Sequence, residues 1–126
     1  MMKRIEVKTT LPINHKKIKG FFISPGVLRL FYEVNSIEQV GNLSWMINRK
    51  YNAIVYFSSI DIVWEIYYKN KLKDRIKVFV YPVGDDTRLQ LTFETNRILP
   101  LKKVLENEVN SEIELLRSLL DALRKF

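Results

Sequence analysis

Residues Asn35 to Asn96 restrict the fold more than any other part of the chain. Apolar and polar side chains alternate there through one short run after another, and a period of two marks a half-buried strand. Ser36 to Val40 leads into Gly41-Asn42, a tight-turn signal. Leu43, Trp45 and Ile47 then alternate with Ser44, Met46 and Asn48. After a turn at Tyr51-Asn52 come Ala53, Val55 and Phe57 against Ile54, Tyr56 and Ser58. Beyond a corner at Ser58 to Ile60, Ile62, Trp64, Ile66 and Tyr68 alternate with Asp61, Val63, Glu65, Tyr67 and Lys69. Asn70-Lys71 turns the chain. Ile76, Val78 and Val80 follow, against Arg75, Lys77, Phe79 and Tyr81. Pro82 to Asp86 is a loop around Gly84, and Leu89, Leu91 and Phe93 close the set opposite Arg88, Gln90, Thr92 and Glu94. Turns this short join strands into an antiparallel meander, and a meander of this length curls.

The flanks supply what covers such a sheet. Lys3 to Thr10 is a further strand, with Ile5, Val7 and Thr9 on one side, ended by Pro12. Asn14 caps a short helix over His15 to Phe22. Ser24-Pro25 starts a second, reaching about Tyr32 with Val27, Leu28 and Phe31 on one face. Two short helices at a tight corner have a helix–turn–helix outline. The second offers Leu28, Leu30, Phe31 and Tyr32 where base-reading polar residues would be needed, so packing explains it better. Leu101 to Phe126 reads as one amphipathic helix, preceded by Pro100 and running to roughly 35–40 Å. Its stripe is Val104, Leu105, Val109, Ile113, Leu116, Leu120 and Leu123, widened by Leu119. The expected architecture is α+β in one domain spanning residues 1–126. It takes the order β-α-α-β6-α, a curved antiparallel sheet of about seven strands wrapped around a long C-terminal helix.

Composition excludes several chemistries. The chain has no cysteine, which removes disulfides, thiolate nucleophiles and Cys-based metal sites. Its single histidine, His15, removes multi-His metal sites. There is no Gly-rich phosphate loop, no G-x-S-x-G and no HExxH, so neither cofactor nor metal is expected. The first ten residues lack an apolar core for a signal peptide, and no apolar run approaches a membrane span, so a soluble, cytoplasmic protein is expected. Two glutamines and many Ile, Lys and Glu fit a thermophilic source; nine asparagines argue against it. The net charge of +7 gathers in Lys3 to Lys19 and in Lys69, Lys71, Lys73, Arg75 and Lys77, whose spacing puts the latter five on one strand face. Such a face is usually solvated. Its functional alternative is weak contact with an anionic membrane surface, a nucleic acid or an acidic protein.

Element order, the first strand ending Thr9-Thr10-Leu11-Pro12, the paired helices holding Phe22 and Pro25, and the final helix together resemble the Bet v 1-like or START-like superfamily of helix-grip proteins. Within it the chain looks most like a small family of unknown-function domains from thermoacidophilic archaea, suggested to carry fatty acids. The resemblance spans the whole chain and rests on element order, with no invariant motif. It implies a cavity between sheet and helix. The lining would be Trp45, Ile47, Val55, Phe57, Trp64, Ile66, Tyr68, Val78, Val80, Leu91 and Phe93 from the strands. The last helix would add Val109, Ile113 and Leu116, and the entrance Val27, Leu28 and Phe31. Without the resemblance these are simply a packed core.

The implied partner is a hydrophobic small molecule, a long-chain fatty acid or related lipid, with Arg29, Arg49 or Arg97 near its carboxylate. A carrier rather than an enzyme is the first expectation. A cyclase or dehydratase in the same cavity is the alternative, with Glu108, Glu112, Tyr56 and Tyr68 on offer. A third reading is an interaction module using Lys69 to Lys77, with membrane contact favoured over nucleic acid. If the helix roofs a cavity, Val109 and Ile113 border space while Leu116, Leu119, Leu120 and Leu123 pack on the sheet.

Overall fold

In the computed structural model, residues 3–96, 99–106 and 110–126 are described. The strands are β1 (Lys3–Leu11), β2 (Ile37–Gly41), β3 (Ser44–Ile47), β4 (Tyr51–Phe57), β5 (Asp61–Tyr68), β6 (Lys71–Val83) and β7 (Asp86–Thr95). They form one antiparallel sheet in the order β1-β7-β6-β5-β4-β3-β2. Each of β2 to β7 pairs with its chain neighbours, and β1 closes onto β7. The fold is α+β: a curved seven-stranded sheet with a C-terminal helix. Alternation settles the inner face. Ile62, Trp64 and Ile66 of β5, Ile76, Val78 and Val80 of β6, and Leu89, Leu91 and Phe93 of β7 are all buried. Trp64 is buried and Lys69 exposed, as the register read from the sequence requires.

α1 (His15–Ile23) begins at Asn14, whose side chain accepts from the Lys16 N–H at 2.8 Å. Ile18, Phe21 and Phe22 of α1 face the sheet, and the Trp64 indole N–H donates to the Phe22 carbonyl at 2.7 Å. The expected second α-helix is a 3-10 helix, Pro25–Leu30. Its hydrogen bonds run Val27 N–H to Ser24 O and Phe31 N–H to Leu28 O. The tighter winding turns the chain within six residues and still buries Val27, Leu28, Phe31 and Tyr32.

The C-terminal segment departs most from expectation. It contains α2 (Lys103–Glu106) and, separately, α3 (Ser111–Lys125), where one continuous helix was expected. Arg97 and Val109 lie outside the described residues. On α3 the buried row is Ser111, Leu115, Leu119 and Leu123, one residue in four. Ile113 is 59% exposed and Leu120 37%, so the expected stripe is rotated and Leu120 does not sit on the sheet. Leu116, between the two rows, is half-buried.

Two smaller corrections concern turns. The β3–β4 reversal lies at Asn48 to Lys50, one step before the expected Tyr51-Asn52, with Asn48 and Arg49 at positive φ. The β5–β6 reversal uses Lys69 and Asn70, also at positive φ. A register shift between β5 and β6 then puts Tyr67 opposite Leu72 and Ile66 opposite Asp74, with Lys73 as the extra residue. That shift breaks the expected basic face. Lys73, Arg75 and Lys77 keep the outward alternation, Lys71 lies opposite Tyr68 on the other face, and Lys69 is in the turn.

Candidate functional site

The centre of the concave face is solid. Val27, Leu28, Phe31, Ile47, Val55, Ile66, Trp64, Val78, Val80, Leu91 and Phe93 are at most 1% exposed. A void wide enough for a water molecule would leave accessible surface on its walls, and these walls have none. The Phe31 and Phe93 rings lie 4.7 Å apart, and Tyr32 meets Phe93 edge-on at 5.7 Å. Leu115, Leu119 and Leu123 of α3, together with Leu99, Leu101 and Leu105, complete this core.

The same face is open over β3 and β4. Leu43 leads into Ser44, and its carbonyl accepts from the Val55 N–H at 3.0 Å. By alternation Leu43, Trp45, Ala53, Val55 and Phe57 share the concave side. Ala53 and Val55 are buried, but Leu43 is 43% and Phe57 49% exposed, and Trp45 is half-buried. The Trp45 ring rests 5.4 Å from that of Trp64, tilted at 49°, so an open aromatic surface continues into the core through one pair of rings. Ile60, at the adjoining β4–β5 corner, is also exposed. Beside this corner the Lys19 ammonium donates to the Ser59 carbonyl at 2.8 Å. Lys19 thus sets a cation beside the corner that follows Phe57. Sequence reasoning missed it because its neighbour Ser59 is forty residues away in the chain.

Other expected residues fall elsewhere. Tyr68 meets the tilted ring of Tyr51 at 5.3 Å, at the opposite end of the strands. Ile113 and Leu116 border a shallow recess of about 200 Å³ beside β1, with Glu6, Val7, Lys8 and Glu112. Arg29 is exposed and donates to the Val34 carbonyl at 3.3 Å, and Arg49 is exposed in the β3–β4 turn. Of the residues weighed for acid–base chemistry, Glu108 lies outside the described set, Glu112 is exposed and Tyr56 points away from the core. They do not converge. Among the described residues no group of three or more His, Asp or Glu could hold a metal ion, and no helix is long and apolar enough to cross a membrane.

One buried polar cluster was not anticipated. Asp74, 1% exposed on β6, accepts from the Tyr32 hydroxyl at 2.6 Å and from the Asn96 backbone N–H at 2.9 Å. Burial raises the Asp74 carboxyl above its ordinary pKa, against the pull of its hydrogen bonds from Tyr32, Asn96 and Thr95. Burial, and secondarily the Asp74 charge, push the Tyr32 phenol well up. The signal available in the sequence was Asp74 itself, an acid at an inward position of an otherwise apolar strand face.

No protein-family model matches the chain, and no curated protein sequence matches it. Solved structures do. A START superfamily protein from Mycobacterium smegmatis is 11% identical, with a TM-score of 0.62 over 97% of each chain. An HSP90 activator from Plasmodium falciparum is 14% identical, with a TM-score of 0.59 over 96% of each. The Aha1 dimer from Colwellia psychrerythraea, at 16% identity, gives a TM-score of 0.59 over 96% of each. At these identities the likeness is one of fold: this is the helix-grip architecture, shared by proteins of different activity.

Proposed function

We propose that the protein binds and carries a hydrophobic small molecule, a long-chain fatty acid or related lipid, at the open end of its concave face. One observation carries the reading: among the described residues the centre of the concave face is closed, whereas at the β3–β4 end Leu43, Trp45 and Phe57 stay half in water. Each methylene lodged there gains about 0.8 kcal/mol, so burial of ten or so supports micromolar affinity near −8 kcal/mol with few polar contacts. Lys19 stands where a carboxylate would emerge. Deeper entry requires Trp45 to part from Trp64. The likeness in fold to a START superfamily protein supports the same reading, and the carrier we propose works in the cytoplasm.

The two tryptophans make the test direct. Palmitate titrated into the protein should change tryptophan emission at micromolar concentrations, almost independently of salt. Phe57→Ser should weaken binding at least tenfold, and native mass spectrometry of gently purified protein should show a retained lipid. Unchanged emission up to the solubility of palmitate, with no lipid retained, would overturn the proposal.

A further inference from the structure

The outer face of the sheet, away from the core, carries a cleft of about 630 Å³. It is lined from five strands, and the cross-strand register orders its side chains into transverse rows. One row runs Arg4, Glu94, Arg75, Glu65 across β1, β7, β6 and β5. Charges alternate along it, and Arg75 closes a 2.9 Å ion pair with Glu65. The next row runs Glu6, Thr92, Lys77, Val63, Tyr56, reaching β4. Glu6 is taken by Arg4 at 2.8 Å. Lys77 thus has neutral neighbours on both strands beside it, Thr92 and Val63, and makes no ion pair among the described residues. The next outward residue along β6 is Phe79, whose ring lies 5.0 Å from the Lys77 ammonium, with Gln90 opposite it. The cleft therefore joins an unpaired cation to an apolar wall of Phe79, Val63 and Tyr56, with the Thr92 hydroxyl and the Gln90 amide as further donors.

We infer that this cleft is a second ligand site, separate from the concave mouth, and that it takes a planar aromatic anion of the arylcarboxylate class. The ring system lies on Phe79, Val63 and Tyr56, and the carboxylate faces Lys77 and Thr92. The ionic row of Arg4, Glu94, Arg75 and Glu65 bounds the site. Arg75 is held by Glu65 and Arg4 by Glu6, so among the basic residues lining the cleft Lys77 is left to meet an anion.

The probe is 2-naphthoate, followed by NMR chemical-shift titration, with 2-naphthamide as the uncharged control. Naphthoate should bind with shifts centred on Lys77, Phe79 and Thr92, and the amide at least tenfold more weakly. Lys77→Met should reduce naphthoate affinity at least tenfold, Lys77→Arg should retain it, and Trp45→Ala should leave it unchanged. The inference is overturned by any of three results. These are no binding at millimolar naphthoate, equal affinity for acid and amide, or loss in Trp45→Ala without loss in Lys77→Met. The last would move the ligand to the concave mouth, so this site and the proposed lipid site fail independently.

Discussion

The two halves of the concave face are built from the same alternating strands and differ in what covers them. Beneath α1, the 3-10 helix and α3, inward residues of β5, β6 and β7 have no contact with water. At one end of β3 and β4, Leu43 and Phe57, in the same alternation, keep nearly half their surface exposed and Trp45 is half-buried, while Ile47, Ala53 and Val55 are covered. Strand patterning alone therefore decides which way a side chain points. The reach of the helices decides whether it becomes core or surface available to a ligand.

The sharpest way to break this comparison is to truncate the Trp45–Trp64 pair. Trp64→Ala should cost about 3–5 kcal/mol, because it opens a core cavity and orphans the Phe22 carbonyl. Trp45→Ala, with one side already wet, should cost clearly less. Equal losses in urea unfolding would make the mouth part of the core. On α3, Leu119→Ala should cost about 2–5 kcal/mol, while Leu120→Ala and Ile113→Ala should stay within about 0.5 kcal/mol. A reversed ranking would restore the stripe expected from the sequence.

Tyr32→Phe removes a donor from a buried carboxylate and should cost about 1–3 kcal/mol in the same measurement. The smallest effect is a pH dependence. Folded Asp74 has a raised pKa, so between the unfolded value near 3.9 and the higher folded one the native state binds more protons. Stability contributed by this group is full below that window and falls as pH rises through it. Relative to Asp74→Asn, the wild type should therefore gain stability as pH drops from 7 to about 4. A gap between their urea midpoints that does not move would show that Asp74 titrates normally.

Much of the fold was legible because one face of each strand is buried. Ala53 and Val55, Trp64 and Ile66, Val78 and Val80, and Leu91 and Phe93 announce their side by alternation, and short turns force antiparallel order. The helix face was not legible. α3 carries two apolar rows, Ile113-Leu116-Leu120 and Leu115-Leu119-Leu123, and either satisfies a helical period. Packing selects the second, since Ser111 at its head is small enough to be buried. The basic run was misread because a single extra residue, Lys73, reverses the face of everything before it, and a bulge leaves no mark in a pattern of lysines. The candidate site was legible only in part: Trp45 and Phe57 were named and alternation gave the side of Leu43, whereas Lys19 depends on a contact that sequence distance conceals.

The strand order has a consequence for how the chain reaches this state. β2 to β7 can zip one hairpin at a time, each step closing a loop of a few residues. β1 pairs with β7 only when Leu11 finds Thr87, a closure spanning about 75 residues and the costliest in the sheet. That pairing has the largest sequence separation in the sheet, so the docking of the N-terminal strand is expected to be the slow step of folding.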